Sequence, residues 1–161
     1  MASGKTAIGQ ELARIKDLNF MDLDAYIESR EEMTIPQIFE SKGEIYFRKI
    51  EGEYLSYVLE NSDNLVLSHG GGTPCYGNNM KLINKHSTAV YLEASINTIV
   101  ERLKTGRNKR PLVVELDEDK ISEYVAKHLF ERRNFYEQAQ FKVNVDGSSA
   151  EELAMQIDKL L

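Results

Sequence analysis

Gly4, Lys5 and Thr6 stand near the start of the chain, and their types and order could serve phosphate chemistry. A glycine, a lysine and a hydroxyl residue in that order close the phosphate-binding loop G-x-x-x-x-G-K-[ST]. In such a loop, backbone N–H groups and the positive end of the following helix face phosphate oxygens. The lysine reaches the β- and γ-phosphates, and the hydroxyl coordinates Mg²⁺. Taken alone, three residues equally describe a polar turn before a helix. Asp22-Leu23-Asp24 adds two carboxylates, one able to face a metal and the other a substrate hydroxyl; the plainer reading is a helix N-cap.

Ser68-His69-Gly70-Gly71-Gly72-Thr73-Pro74 contains consecutive glycines, which let a backbone come close to a ligand. A flexible turn is the alternative, but a turn needs only one or two glycines. Arginines at Arg48 (in Phe47-Arg48-Lys49-Ile50-Glu51), Arg110 (before Pro111-Leu112) and Arg132 (in Glu131-Arg132-Arg133-Asn134-Phe135-Tyr136) offer planar forks that fit carboxylate or phosphate. Each, by itself, is more often a solvated surface residue.

The elements that must position these residues follow from periodicity. Ile8, Leu12 and Ile15 predict a first helix, and Leu18–Met21 a short buried strand ending at Asp22. Short helices are expected over Ala25–Arg30 and Ile35–Glu40, with Pro36 suited to a first turn. A longer helix carries Phe47, Ile50, Tyr54 and Val58. Leu65–Leu67 and Ala89–Leu92 read as strands, and Ile96, Ile99, Val100 and Leu103 as a helix. The stretch 105–117 has no period and reads as a loop. Ile121, Tyr124, Val125, His128 and Leu129 mark another helix, Phe141, Val143 and Val145 an edge strand, and Leu153–Leu161 a closing helix. Strands alternating with helices predict a parallel sheet wrapped on both faces, with ligands gathered at the carboxyl ends of the strands. Asp22, Asp24 and the three glycines fall at such ends.

The chain of 161 residues is long enough for one domain with a sizeable core, at 42% hydrophobic and 29% charged residues. A net charge of −6 argues against a general nucleic-acid surface. The single cysteine, Cys75, excludes an internal disulfide and a cysteine metal cage and fits a reducing cytoplasm. Cys75 reads as a packed residue rather than a nucleophile, and His69 as a packed ring. No apolar run approaches membrane-spanning length, and the N-terminal stretch, amphipathic and mixed in charge, does not read as a signal peptide.

In this order and spacing, G-K-T, D-x-D, F-R-x-x-E, G-G-G and R-P-L together resemble shikimate kinase, a small P-loop family related to the nucleoside monophosphate kinases. The resemblance runs over essentially the whole chain. It implies one α/β P-loop kinase domain over residues 1–161, a parallel β-sheet in a three-layer α/β/α arrangement. Substrate-binding helices would lie over about 23–51 and a lid over about 105–118. The implied activity is ATP-dependent phosphorylation of the 3-hydroxyl of shikimate in aromatic amino-acid (chorismate) biosynthesis.

The same resemblance implies the roles. Ser3, Gly4, Lys5 and Thr6 would hold ATP, and Thr6 with Asp22, together with Ser68, would serve Mg²⁺. Asp24 would take or orient the proton of the reacting hydroxyl. Arg48 and Arg132 would clamp the substrate carboxylate, with Arg133 a rival to Arg132, and Gly70, Gly71 and Gly72 would donate backbone hydrogen bonds. Arg110, with Lys5 and Asp24 one of three catalytic candidates, would close over the phosphates. A cytoplasmic monomer without nucleic-acid or membrane partners is expected. The family begins with a strand that leads into the phosphate loop, so a strand and the loop's first glycine are expected ahead of Met1, and low stability or activity without them. A gluconate-type kinase and a degenerate nucleotide-binding protein are the alternatives.

Overall fold

The computed structural model describes residues 2–105 and 118–161, the side chains of Glu118 and Asp119 apart. Helix α1 (Lys5–Lys16) leads to strand β1 (Asn19–Asp22), then to α2 (Leu23–Glu31) and α3 (Ile35–Asn61). Strand β2 (Leu65–Ser68), a single 3₁₀ turn (Thr73–Cys75), α4 (Asn79–His86) and β3 (Val90–Glu93) follow. The chain continues through α5 (Ile96–Thr105), α6 (Glu118–Tyr136), β4 (Phe141–Asn144) and α7 (Ala150–Asp158).

The expected alternation of strands and helices is present, and every strand pairing among the described residues is parallel. β1 pairs with β2 from Asn19–Leu65 to Asp22–Ser68, and β3 with β4 from Val90–Phe141 to Glu93–Asn144. The strands form two pairs instead of one continuous sheet. Between the pairs runs a cleft of about 630 Å³, reached by Leu65, Val66 and Leu67 from one side and by Val90, Tyr91 and Leu92 from the other.

Two apolar clusters hold the molecule together. One joins Ile8 and Leu12 of α1 to Ile99 and Leu103 of α5, Ile121 and Val125 of α6, Val143 of β4, and Leu153 and Ile157 of α7. The other gathers Leu23 and Ile27 of α2, Ile38, Phe47 and Leu55 of α3, and Ile83 of α4. Burying side chains of this size contributes on the order of 1.5–3 kcal/mol each.

Two details differ from the periodicity reading. The helices expected separately around Ile35–Glu40 and Phe47–Val58 form one element broken at Gly43, whose φ of 81° and ψ of 170° leave helical space. Thr34 starts that element with a reciprocal capping box to Gln37. Helix α4 is additional, an eight-residue segment whose buried residues are Asn79, Met80 and Ile83, with Leu82 partly buried beside them.

Candidate active site

The start of α1 is built as an anion site. Gly4, its N-cap, has a φ of 88°, the left-handed region that favours glycine, and no side chain caps the helix. The first N–H groups of α1 thus keep their capacity for a ligand at the positive end of the helix dipole. Ser3 is buried, Lys5 half-buried and Thr6 exposed at this end.

The Thr6 hydroxyl donates to Oδ2 of Asp22 at 3.2 Å. Asp22 is also the N-cap of α2, because its Oδ1 accepts from the N–H of Asp24 at 3.0 Å and of Ala25 at 3.5 Å. The helix cap anticipated as the plainer reading is therefore present and occupies one carboxylate oxygen, while the other faces Thr6. Ser68 lies in register with Asp22 across the parallel pair, and its buried hydroxyl has no hydrogen-bond partner among the described residues. Oxygens of Thr6 in the first turn of α1, and of Asp22 and Ser68 at neighbouring strand ends, fit a hard, hydrated cation such as Mg²⁺. Among the described residues no group of three or more His, Cys, Asp or Glu could hold a metal. A cation here would draw its remaining ligands from phosphate and water.

Asp24 is half-buried in the first turn of α2 and lies against the glycine loop. A Cβ on Gly70 would come within 3.2 Å of its Oδ1 and of Thr73 Oγ1. Burial, reinforced by the charge of Asp22, pushes the Asp24 carboxyl above its ordinary value, and the Lys5 ammonium works against that rise. Lys5 and Asp24, expected to act together, are thus electrostatic neighbours.

On the other side of the loop, Arg48 of α3 is held by its own helix. Its Nη1 donates to Glu51 Oε2 at 2.8 Å and its Nε to Glu44 Oε1 at 3.3 Å. The guanidinium sits 4.0 Å from the Tyr76 ring centroid, a cation–π contact. A Cβ on Gly72 would lie 3.1 Å from both terminal nitrogens of Arg48, so any side chain there would press on the guanidinium.

Arg132 of α6 faces the same space, with Tyr136, Cys75 and Glu44 as electrostatic neighbours. Arg133 turns elsewhere: its Nε donates to Glu137 at 2.6 Å, and Glu93 and Tyr91 are its further neighbours. Arg110, and the lid around it, lie outside the described residues.

Three residues given no role from sequence organise this site. Glu51 is 1% exposed and accepts from Arg48 and, at 2.7 Å, from the hydroxyl of fully buried Thr73. Asn79 donates to the Thr73 carbonyl at 2.9 Å. Tyr136 donates to the Gly71 carbonyl at 2.6 Å. The i, i+3 spacing of Arg48 and Glu51 carried a signal for the first of these; nothing local pointed to the others. Cys75 is half-buried and burial pushes its thiol up, which disfavours thiolate chemistry. The His69 ring has its Nδ1 3.1 Å from the Gly70 carbonyl, and burial lowers its pKa.

A helix start open to phosphate, with an acid at the adjoining strand end and arginines across a glycine loop, is the arrangement of a P-loop phosphotransferase acting on a small anion. Comparison with known proteins narrows that class. A family model described as shikimate kinase matches residues 1–161, and the chain belongs to the shikimate kinase family. A shikimate kinase of Flavobacterium johnsoniae is 44% identical over 162 residues, covering 100% of this chain and 94% of that protein. The crystal structure of shikimate kinase from Bacteroides thetaiotaomicron superimposes with a TM-score of 0.93 at 33% identity, covering 99% of this chain and 93% of that one. Shikimate kinase from Acinetobacter baumannii in complex with shikimate gives 0.89 at 30% identity, with coverage of 99% and 87%.

Proposed function

We propose that the chain transfers the terminal phosphoryl group of ATP to the 3-hydroxyl of shikimate, giving shikimate 3-phosphate and ADP, a step toward chorismate and the aromatic amino acids. The observation that carries this reading is the family match over residues 1–161. The convergence of the P-loop helix, Asp24, Arg48 and Arg132 on the glycine loop supports it.

The geometry supports a division of labour. Phosphoryl transfer needs positioning and charge stabilisation more than covalent help. The free N–H groups of α1, with the Lys5 ammonium, hold the phosphate oxygens. Thr6 and Asp22, with Ser68, fit Mg²⁺, which when bound neutralises charge on the phosphates. Arg48 and Arg132 grip the substrate carboxylate, which leaves its ring hydroxyls against Gly70–Gly72 and Asp24. Asp24 accepts the proton of the attacking hydroxyl or fixes its direction. Arg110 is assigned to the phosphates on the strength of the R-P-L resemblance alone.

A cytoplasmic monomer is part of the proposal, supported by the single cysteine and the net charge of −6. No described helix is long and apolar enough to cross a membrane. The test is a coupled ADP-release assay over a panel of hydroxy acids. Release that depends on shikimate and on Mg²⁺, and not on gluconate, is expected; release independent of shikimate overturns the reading.

A further inference from the structure

The glycine loop is tied to α6 by one hydrogen bond that spans 65 residues of sequence: the Tyr136 hydroxyl donates to the Gly71 carbonyl at 2.6 Å. That carbonyl belongs to the Gly71–Gly72 peptide, whose plane also contains the Gly72 N–H. Among the described residues no peptide bond is cis. In a trans peptide the C=O and N–H lie in one plane and point in opposite directions. Fixing the carbonyl therefore fixes the N–H. Neither Gly71 nor Gly72 donates its N–H to a protein acceptor among the described residues, and Gly72 is the glycine that abuts the Arg48 guanidinium.

The donor is itself held. The Tyr136 ring stacks on Tyr91 of β3 with centroids 5.0 Å apart and planes inclined at 29°. Among the described residues, the only other hydrogen bond to the Gly71 carbonyl is a weak one from Cys75 Sγ at 3.8 Å. The neighbouring carbonyls are already used, Gly70 by the N–H of Thr73 at 3.1 Å and Gly72 by the N–H of Cys75 at 2.9 Å. Without Tyr136 the Gly71–Gly72 plane keeps only the weak contact from Cys75 Sγ.

We propose that Tyr136 is a positioning residue that aims the Gly72 N–H at the bound substrate. Standing one turn after Arg132, it also makes the α6 half of the carboxylate clamp and the glycine loop arrive as one unit. This deepens the reading above and rests on it, since the ligand in question is shikimate held by Arg48 and Arg132. Tyr136 does not touch the reacting atoms, so its effect lies in substrate affinity and not in the chemical step.

The test is Tyr136→Phe, which removes one oxygen and keeps the stacking on Tyr91. Shikimate KM rises by about fivefold, the equivalent of one ordinary hydrogen bond, while the KM for ATP and the melting temperature stay near wild type. In the free protein the Gly72 amide resonance moves and broadens. An unmoved Gly72 resonance overturns the proposal. So does a shikimate KM within twofold of wild type, including the case where Tyr136→Leu is impaired and Tyr136→Phe is not, which would make the ring mere packing. If the wild-type chain shows no shikimate-dependent ADP release, the substrate assignment fails; the amide resonance then decides the tie between Tyr136 and Gly71 by itself.

Discussion

Asp24 carries the sharpest conflict between stability and activity in the molecule. Its carboxyl is pushed up by burial and by Asp22, and only Lys5 favours its charge strongly. A raised pKa in the fold means that the protonated form is the better tolerated one. Its contribution to stability is therefore present below the ordinary carboxylate range and is lost as pH climbs through the folded value. Function asks for the opposite, because a proton acceptor must be ionised. The acid limb of kcat/KM is accordingly expected above the usual carboxylate range. Asp24→Asn should cut kcat by about 10²–10⁴-fold, the usual worth of a positioned acid or base, with ATP affinity near wild type and melting temperature equal or higher. Titration calorimetry with a nonhydrolysable ATP analogue separates these: a variant that no longer binds the analogue would show Asp24 to be structural. Arg48 offers the companion measurement at the same scale. Arg48→Ala should raise the shikimate KM by about tenfold or more, because a hydrogen bond to a charged group is worth about 1.5–3 kcal/mol. An unchanged KM removes Arg48 from the clamp.

Helices and turns bring these residues together, and at that scale Glu51 is the pivot. It joins α3 to the 3₁₀ turn by accepting from Arg48 and Thr73 while almost wholly buried. Removing Glu51 leaves the buried Thr73 hydroxyl without its acceptor and Arg48 with only Glu44 as its carboxylate partner, a loss of about 1–3 kcal/mol for each buried polar group left unsatisfied. Glu51→Ala should thus lower the denaturation midpoint strongly and weaken shikimate binding together, whereas a midpoint within 1 °C of wild type, at a precision of about a quarter of a kcal/mol for this size, refutes the pivot. Gly43 is the second element-level device. A Cβ there meets nothing within 4 Å, yet its φ of 81° is strained for any other residue. Gly43→Ala should destabilise by about 1–3 kcal/mol through backbone strain alone, and a more stable variant would show the break in α3 to be dispensable. These elements also mark what could be read in advance. G-K-T, D-x-D, F-R-x-x-E and G-G-G were legible because each is a compact run whose residue types have few other uses. Helix α4 was not, since Met80 and Ile83 are its only buried apolar residues in eight. The ties from Thr73 to Glu51 and from Tyr136 to Gly71 were hidden for a different reason. They join segments 22 and 65 residues apart, and no local period reports a contact of that range.

The whole molecule is organised about the cleft between its two strand pairs. The P-loop helix, the glycine loop and Asp24 all sit on or beside the β1–β2 pair, while Tyr91, which supports Tyr136, belongs to the β3–β4 pair. The relative placement of the pairs thus sets the distance between the phosphate end and part of the substrate end. Helices do the bridging: α1 packs on α7, and α5 on α6. Among the described residues no strand pairs with the facing edges of β2 and β3, and apolar side chains such as Val66 and Leu92 border the cleft. Parallel strands are ordinarily buried on both sides, so this edge is the least favourable feature of the fold. Four-residue strands on either side define the length that would match it, and Ser3 already lines the cleft. A short apolar β-strand joined ahead of Met1 should therefore dock in parallel between β2 and β3. Burying two such side chains at about 1.5–3 kcal/mol each raises the melting temperature by roughly 2–4 °C per kcal/mol at this size. Activity should rise with it, because the phosphate end and Tyr136 become parts of one sheet. The comparison needs the chain with the added strand, and a control in which the added residues are glycine and serine. A melting temperature and shikimate-dependent rate equal in both would show that the two strand pairs are held in place by the helices alone.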